Sequence, residues 1–305
     1  MSRGGIFLVA SAFAGACAHG PPPFHAVDLV VLRDHGQTRP LLKVKVDGEP
    51  MTLLVDTGAT ENFLSADFAR QHSLVPLSSD VARPVRDANG KVIRMRVLPG
   101  VLVQFEGAPA TVGLDFRLRE SNETISGADG ILAPNSLIRS GWGLVIDMGY
   151  EQLRYEEEAS ALQELNREGR RAAKVEYHRC PGESFLDAGH RVVAVWVNGV
   201  RADMMVDTGA AGTVLYRDNP AIPSMLARVG AKGTSTALNS RSASLRLDDV
   251  PIQFSDALVS IPVAVSPARS ECAEGLLGAD VLSRCVLLWG SSDLWVACRN
   301  PSKEP

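Results

Sequence analysis

Two stretches of this chain carry the same four residues, Asp56-Thr57-Gly58-Ala59 and Asp207-Thr208-Gly209-Ala210. Each follows an apolar run directly: Met51-Thr52-Leu53-Leu54-Val55 in one case, Ala202-Asp203-Met204-Met205-Val206 in the other. Two carboxylates brought close together cannot both ionise easily. They come to share a proton, which places an acid and a base in one site. A lone Asp-Thr-Gly is ordinarily a turn closed by a local side-chain-to-backbone hydrogen bond. A structural turn gives no reason for aspartate in both copies; a shared proton does.

The elements that would position the aspartates are also written twice. The offset of 151 between Asp56 and Asp207 pairs Val44 with Val195, Val46 with Val197, Gly48 with Gly199, Val55 with Val206 and Leu64 with Leu215. Leu42-Lys43-Val44-Lys45-Val46 and Val193-Ala194-Val195-Trp196-Val197 alternate along their length, and each is broken by Asp47-Gly48 or Asn198-Gly199. Alternation, an Asp-Gly or Asn-Gly turn and a second apolar run predict a β-hairpin with the aspartate at the end of its second strand. Downstream, Gly130-Ile131-Leu132-Ala133 before Leu137 matches Gly275-Leu276-Leu277-Gly278 before Leu282. A hairpin-like segment follows each, Leu144 through Leu153 and Val286 through Val296. A repeat this long suggests a duplicated domain rather than a solenoid unit. Between the halves, Glu156 to Lys174 is charged, with Ala159, Leu162 and Leu165 at helical spacing, and predicts an amphipathic connecting helix.

The bulk numbers exclude several classes. At 305 residues the chain can hold two cores. With 45% hydrophobic and 22% charged residues it is neither disordered nor a multi-span membrane protein. A net charge of −4 without a basic cluster argues against nucleic acid. No Gly-x-Ser-x-Gly, His-Glu-x-x-His or phosphate-loop motif is present. His19, His25, His35, His72, His178 and His190 are scattered, and no metal site or cofactor is expected.

The first residues predict export: Arg3, the small apolar stretch Ile6 to Ala18, and Pro21 to Pro23. That stretch is shorter than the about 20 residues of a resident span. Ala14-Gly15-Ala16-Cys17 resembles a bacterial lipobox, with Ala14 where the pattern favours Leu. Lipidation of Cys17, which would anchor the chain to a membrane, and simple signal cleavage both stand as readings. Cys180, Cys272, Cys285 and Cys298 remain, an even number that suits disulfides in any of three connectivities.

Asp-Thr-Gly-Ala after an apolar strand, followed later by two apolar residues and a glycine, resembles the aspartic peptidases of the pepsin and retropepsin type, with two retropepsin-like lobes in one chain. The resemblance implies a mainly β, two-lobed acid-protease fold, each lobe a small closed β-barrel, joined by the amphipathic helix. The divisions it implies are a signal peptide at 1–17, a linker at 18–37, lobes at 38–155 and 185–298, a helical linker at 156–184 and a tail at 299–305. It makes Asp56 and Asp207 the catalytic pair, gripping one water. Thr57, Gly58, Ala59, Thr208, Gly209 and Ala210 support the active-site loops, and the threonines cross-link them. Gly130, Ile131, Leu132, Gly275, Leu276, Leu277 and Gly278 pack beneath. Ala133-Pro134 departs from Gly278-Ala279, which puts the geometry of the first loop in question. A flap over the cleft is assigned to the hairpin around Asn89-Gly90.

The expected function is an exported aspartic endopeptidase of the bacterial cell envelope, periplasmic or lipid-anchored, or else secreted. It would act as a monomer on peptide or protein substrates, without cofactor or nucleic acid. The alternative is a peptide-binding envelope lipoprotein that keeps the fold without turnover.

Overall fold

The computed structural model describes residues 24–34, 37–74, 83–86, 92–119, 127–167, 172–179, 190–225, 229–237, 240–267, 270 and 272–298. The first half runs through β1 (Ala26–Asp34), β2 (Gln37–Val46), β3 (Glu49–Val55), β4 (Asn62–Ser65), α1 (Ala66–Gln71), β5 (Arg83–Arg86), β6 (Val92–Phe105), β7 (Thr111–Arg119) and β8 (Gly130–Leu132). A hairpin of β9 (Trp142–Asp147) and β10 (Gln152–Glu157) follows, then α2 (Glu158–Arg167), β11 (Ala173–Val175) and β12 (Tyr177–Arg179). The second half repeats the plan as β13 (Arg191–Val197), β14 (Val200–Val206), β15 (Val214–Tyr216), α3 (Ile222–Met225), β16 (Val229–Ala237), β17 (Ser240–Phe254), β18 (Ala257–Ser266), β19 (Gly275–Leu277) and α4 (Ala279–Leu282). It ends in a second hairpin of β20 (Cys285–Trp289) and β21 (Leu294–Cys298).

Each half closes a six-stranded barrel. The first has the order β2-β3-β8-β4-β7-β6, closed where Val44 of β2 meets Phe105 of β6. The second has the order β13-β14-β19-β15-β18-β17, closed where Trp196 of β13 meets Gln253 of β17. The two expected hairpins are present, β2 with β3 and β13 with β14. Their turns hold Asp47 and Gly48 at φ 47° and 92°, and Asn198 and Gly199 at 49° and 78°. Positive φ at both central residues is what a two-residue hairpin turn needs to match the strand twist. Alternation then sorts the side chains: in β2, Leu42, Val44 and Val46 are buried while Lys43 and Lys45 stay exposed.

A third layer joins the barrels, a sheet with the order β11-β21-β20-β9-β10-β1. Its centre is the antiparallel pairing of β9 with β20, one strand from each half, with Leu287 opposite Ile146 and Leu288 opposite Val145. The two downstream hairpins of the repeat therefore meet each other in a shared sheet. The segment between the lobes departs from the expected helix. Glu156 and Glu157 complete β10, the helix covers only Glu158–Arg167, and Ala173–Val175 pairs with Leu294–Val296 on the sheet edge. Ala173–Val175 supplies partners to the otherwise open edge of β21, and here that tertiary pairing overrides helical spacing. The buried stripe of α2 is Ala161 and Leu165, packed with Val145, Val286 and Leu288; Ala159 is exposed.

Two tethers hold the ends of this layer. Phe24 is buried against Phe105 and Tyr155, with ring centroids at 4.5 and 5.9 Å. Cys285 and Cys298 stand opposite each other on β20 and β21 and are joined by a disulfide, and Cys272 is disulfide-bonded as well. Cys17 and Cys180 lie outside the described residues.

Candidate active site

Asp56 and Asp207 end β3 and β14, and the next layer of strands holds both in place. Residues 53–55 of β3 run parallel to Gly130, Ile131 and Leu132, and residues 204–206 of β14 run parallel to Gly275, Leu276 and Leu277. The aspartate backbones continue these ladders, Asp56 N–H donating to Leu132 O at 3.0 Å and Asp207 N–H to Leu277 O at 3.1 Å. Gly130 and Gly275 lie against a second strand on their other side. A Cβ there would meet Phe63 O at 2.4 Å or Val214 O at 2.3 Å, so no larger residue fits.

The threonines cross-link the two loops. Thr57 N–H donates to Thr208 Oγ1 and Thr208 N–H to Thr57 Oγ1, both at 3.0 Å. Each hydroxyl then donates to the opposite lobe, Thr57 to Val206 O at 2.9 Å and Thr208 to Val55 O at 2.7 Å. Both threonines are buried, so all four bonds are shielded from water.

That cross-link brings the aspartates within hydrogen-bonding reach of each other at the floor of the cleft. Gly58 accepts the partner's carboxyl where a side chain would stand: a Cβ on Gly58 would lie 2.5 Å from Asp207 Cγ, and one on Gly209 would lie 2.3 Å from Asp56 Cγ. Backbone amides supply fixed donors, Gly58 N–H to Asp56 Oδ1 at 2.8 Å and Ala210 N–H to Asp207 Oδ1 at 2.9 Å. Each aspartate is half-open to the cleft and surrounded by protein elsewhere. Burial pushes Asp56 well above the usual carboxylate range, and the negative charge of Asp207 and the hydrogen bond to it push the same way, against the amides of Gly58 and Ala59. Burial raises Asp207 too, opposed by the Ala210 amide, the hydrogen bond from Asp56, the charge of His190 and the Gly209 amide. Burial thus raises both carboxyls, and the two titrate as one unit.

The two loops differ below the aspartates. Gly278 packs on the neighbouring loop so tightly that a Cβ would lie 2.4 Å from Gly212 C. Ala133 is also fully buried, with its methyl in place at the corresponding position of the first lobe. Ala133 N–H still donates to Asn62 Oδ1 at 2.8 Å, as Gly278 N–H does to Thr213 Oγ1 at 3.1 Å. The larger difference is Pro134: Ala279 N–H donates to Ala210 O at 2.8 Å, and proline has no N–H to do so for Ala59. Glu61 forms a paired contact with Arg117, which is 6% exposed, where the second lobe has Gly212 and Ala264.

Residues not singled out by sequence complete the frame. Asn62 and Thr213 are related by the same offset as the aspartates but differ in type, so identity matching passes over them. Thr213 donates from N–H and Oγ1 to Asp280 at 2.9 and 2.7 Å, and Asp280 is raised by burial, opposed by these bonds. Asp129 and Glu274, each directly before the motif glycine, accept the N–H of Thr52 and Asp203 at 2.9 and 2.8 Å. Asn89 and Gly90 lie outside the described residues, while β5 and β6 on either side of them pair antiparallel from Arg83–Met95 to Arg86–Val92. In the second lobe β16 and β17 form a corresponding hairpin, paired as far as Ala237 and Ser240.

Two barrels, a shared sheet and an aspartate dyad on crossed loops define a two-lobed acid-protease architecture. The gag-polyprotein aspartyl protease family matches residues 42–109, and the aspartyl protease family matches residues 193–281. The chain belongs to the aspartic peptidases, with both lobes in a single chain. Among solved structures it is similar to the aspartic proteinase from Irpex lacteus, with a TM-score of 0.54 at 11% identity over 91% of this chain and 98% of that one. Basic 7S globulin from soybean is similar at a TM-score of 0.51 and 12% identity, over 90% of this chain and 95% of that one. At these identities the likeness is one of fold. No curated protein matches the sequence.

Proposed function

We propose that the protein is an exported aspartic endopeptidase that hydrolyses peptide bonds with a water held between Asp56 and Asp207. The observation that carries this reading is the dyad itself: two half-buried carboxyls side by side, both raised by burial, on loops locked by Thr57 and Thr208. A peptide bond is a weak electrophile and water a weak nucleophile, so both need assistance. The Asp207 carboxylate takes a proton from the water as its oxygen attacks the scissile carbonyl carbon. The Asp56 carboxyl meanwhile donates a hydrogen bond to the carbonyl oxygen. The proton gathered by Asp207 then passes to the amide nitrogen, the C–N bond breaks, and a carboxylic acid and an amine leave. Activity needs the shared proton and fades as pH rises past the point where the dyad loses it, so the optimum is acidic to mildly acidic.

Export is part of the same proposal and is supported by the disulfide between Cys285 and Cys298, which suits an oxidising compartment. A lipid on Cys17 would anchor the chain, and mass analysis of the mature N-terminus separates that from plain cleavage.

Digestion of a proteome-derived peptide library tests the reaction. The wild type cleaves below neutral pH and is blocked by a statine-type peptide. Asp56→Asn and Asp207→Asn each lose at least about 1,000-fold in rate. Library peptides bound but never cut, or normal cutting by either variant, would overturn the mechanism.

A further inference from the structure

We propose that the second-lobe wall of the cleft is an open apolar trough that seats one large apolar side chain of a peptide substrate, on one side of the scissile bond only. The proposal rests on the peptidase reading. Residues two apart on a strand share a face, so Leu54 stands on the same side of its sheet as Asp56, and Met205 on the same side as Asp207. Directly paired residues carry that face from strand to strand. In the first lobe the row runs from Leu54 to Ile131, Phe63 and Arg117. In the second lobe it runs from Met205 to Leu276, Val214 and Ala264.

The two rows are equivalent in place and opposite in packing. Leu54, Ile131, Phe63 and Arg117 are all buried. The first three pack in one cluster with Leu41, Met95 and Ala128, and Ala59 of the active-site loop packs against it. Arg117 closes the end of the row with its paired contact to Glu61. That wall is already filled by the protein's own side chains. In the second lobe Met205, Leu276, Val214 and Ala264 are all partly exposed. Valine stands where the first lobe has phenylalanine and alanine where it has arginine, so the row is shallower by a ring and a guanidinium. Gly212, at the position corresponding to Glu61, adds no side chain to close its end.

The place of the trough fixes its occupant. An extended peptide held across both aspartates lays one flank against each lobe. The flank on the first lobe meets a filled wall and Glu61, whose charge Arg117 already balances, so a small residue suffices there. The flank on the second lobe meets four apolar residues in line, which gain by being covered. A leucine, methionine or phenylalanine side chain covers them and leaves water itself. A charged side chain would lose its hydration without finding a partner among those four residues.

Sequencing the products of a peptide-library digest tests this. The wild type should select Leu, Met or Phe at one of the two residues flanking the cut and small residues at the other. Equal selection on both sides, or none on either, would overturn the proposal. Val214→Phe gives the second row the ring of the first. The ratio of kcat/KM for a Leu peptide to that for its Ala counterpart should then fall about tenfold or more. Leu276→Ala deepens the trough and should move the preference toward Trp. Such ratios do not depend on how much of a variant is folded, and ratios unchanged in both variants sink the proposal. The NMR signal of the Met205 methyl, assigned with Met205→Leu, supplies a readout independent of turnover. It should shift when a statine-type peptide with flanking Leu is added to the wild type, and not with the Ala counterpart. A methyl that stays put refutes the trough whether or not peptides are cut. A shifted methyl in a protein that cuts nothing upholds the trough and refutes only the peptidase reading.

Discussion

In the proposed reaction Asp56 and Asp207 carry the chemistry, and the burial of Asp56 also carries a cost to stability. Asp56 keeps its proton in the folded state at pH values where the unfolded chain has released it. Stability from this group is complete below the usual carboxylate value and is lost as pH rises through the raised folded value. Replacing Asp56 by Asn removes that loss. Asp56→Asn is therefore expected to raise the unfolding temperature by about 2–4 °C at pH 7 and to leave it unchanged at pH 3. Calorimetry at the two pH values checks this, and equal shifts at both would attribute the effect to something other than titration. A stabilised variant without activity would fit a site strained for function. The residue scale was partly legible: both aspartates, threonines and glycines stand out by identity. Asn62 and Thr213 did not, because they match in position and not in residue type.

At the scale of elements, the repeated glycine segments are wedged between two strands, and the space around each decides what it tolerates. The methyl of Ala133 raised the question of whether the first loop is distorted. In the structure the methyl is buried and Asn62 keeps the amide bond that Thr213 makes in the second lobe. The two lobes should then respond differently to mirror-image changes. Gly278→Ala is expected to destabilise by about 2–3 kcal/mol, because its Cβ meets backbone atoms that cannot rotate away. Ala133→Gly should cost only about 1 kcal/mol, from backbone freedom and a lost methyl. Urea unfolding of the two variants distinguishes them, and equal losses would mean that the loops pack alike. Sequence showed the segments and even the departure at Ala133. It could not show the support of that loop, because Asn62 and Ala133 are far apart in the chain and meet only when β4 lies against β8.

At the scale of the molecule, neither half is complete alone. The downstream hairpins, each the tail of one repeat, form one sheet across the boundary, and Trp289 of the second half donates to Asn135 of the first at 2.8 Å. A fragment spanning residues 24–157 would expose β9 as an open edge with Leu144, Val145 and Ile146 stripped of their cover. It should therefore self-associate or aggregate, as read by size-exclusion chromatography with light scattering. A stable, soluble monomer of that fragment would contradict the shared-sheet account. The helix between the lobes belongs to the same lesson. Its charge pattern predicts a longer helix, but the sheet edge claims Ala173–Val175 for β11, and a distant edge leaves no trace in local periodicity.

The sequence by itself determined the duplication, the hairpin that ends in each aspartate, and the acid-base chemistry that two such carboxyls can perform. These depend on residue type and short spacing, and the positive-φ turns at Asp47-Gly48 and Asn198-Gly199 follow from local sterics alone. Only the tertiary structure decided that burial raises both aspartates, that threonines from opposite lobes cross-link their loops, and that the two loops carry different supports. Those properties arise from burial, from the field of groups far apart in the chain, and from strand register. Each of these exists only once the chain has closed on itself.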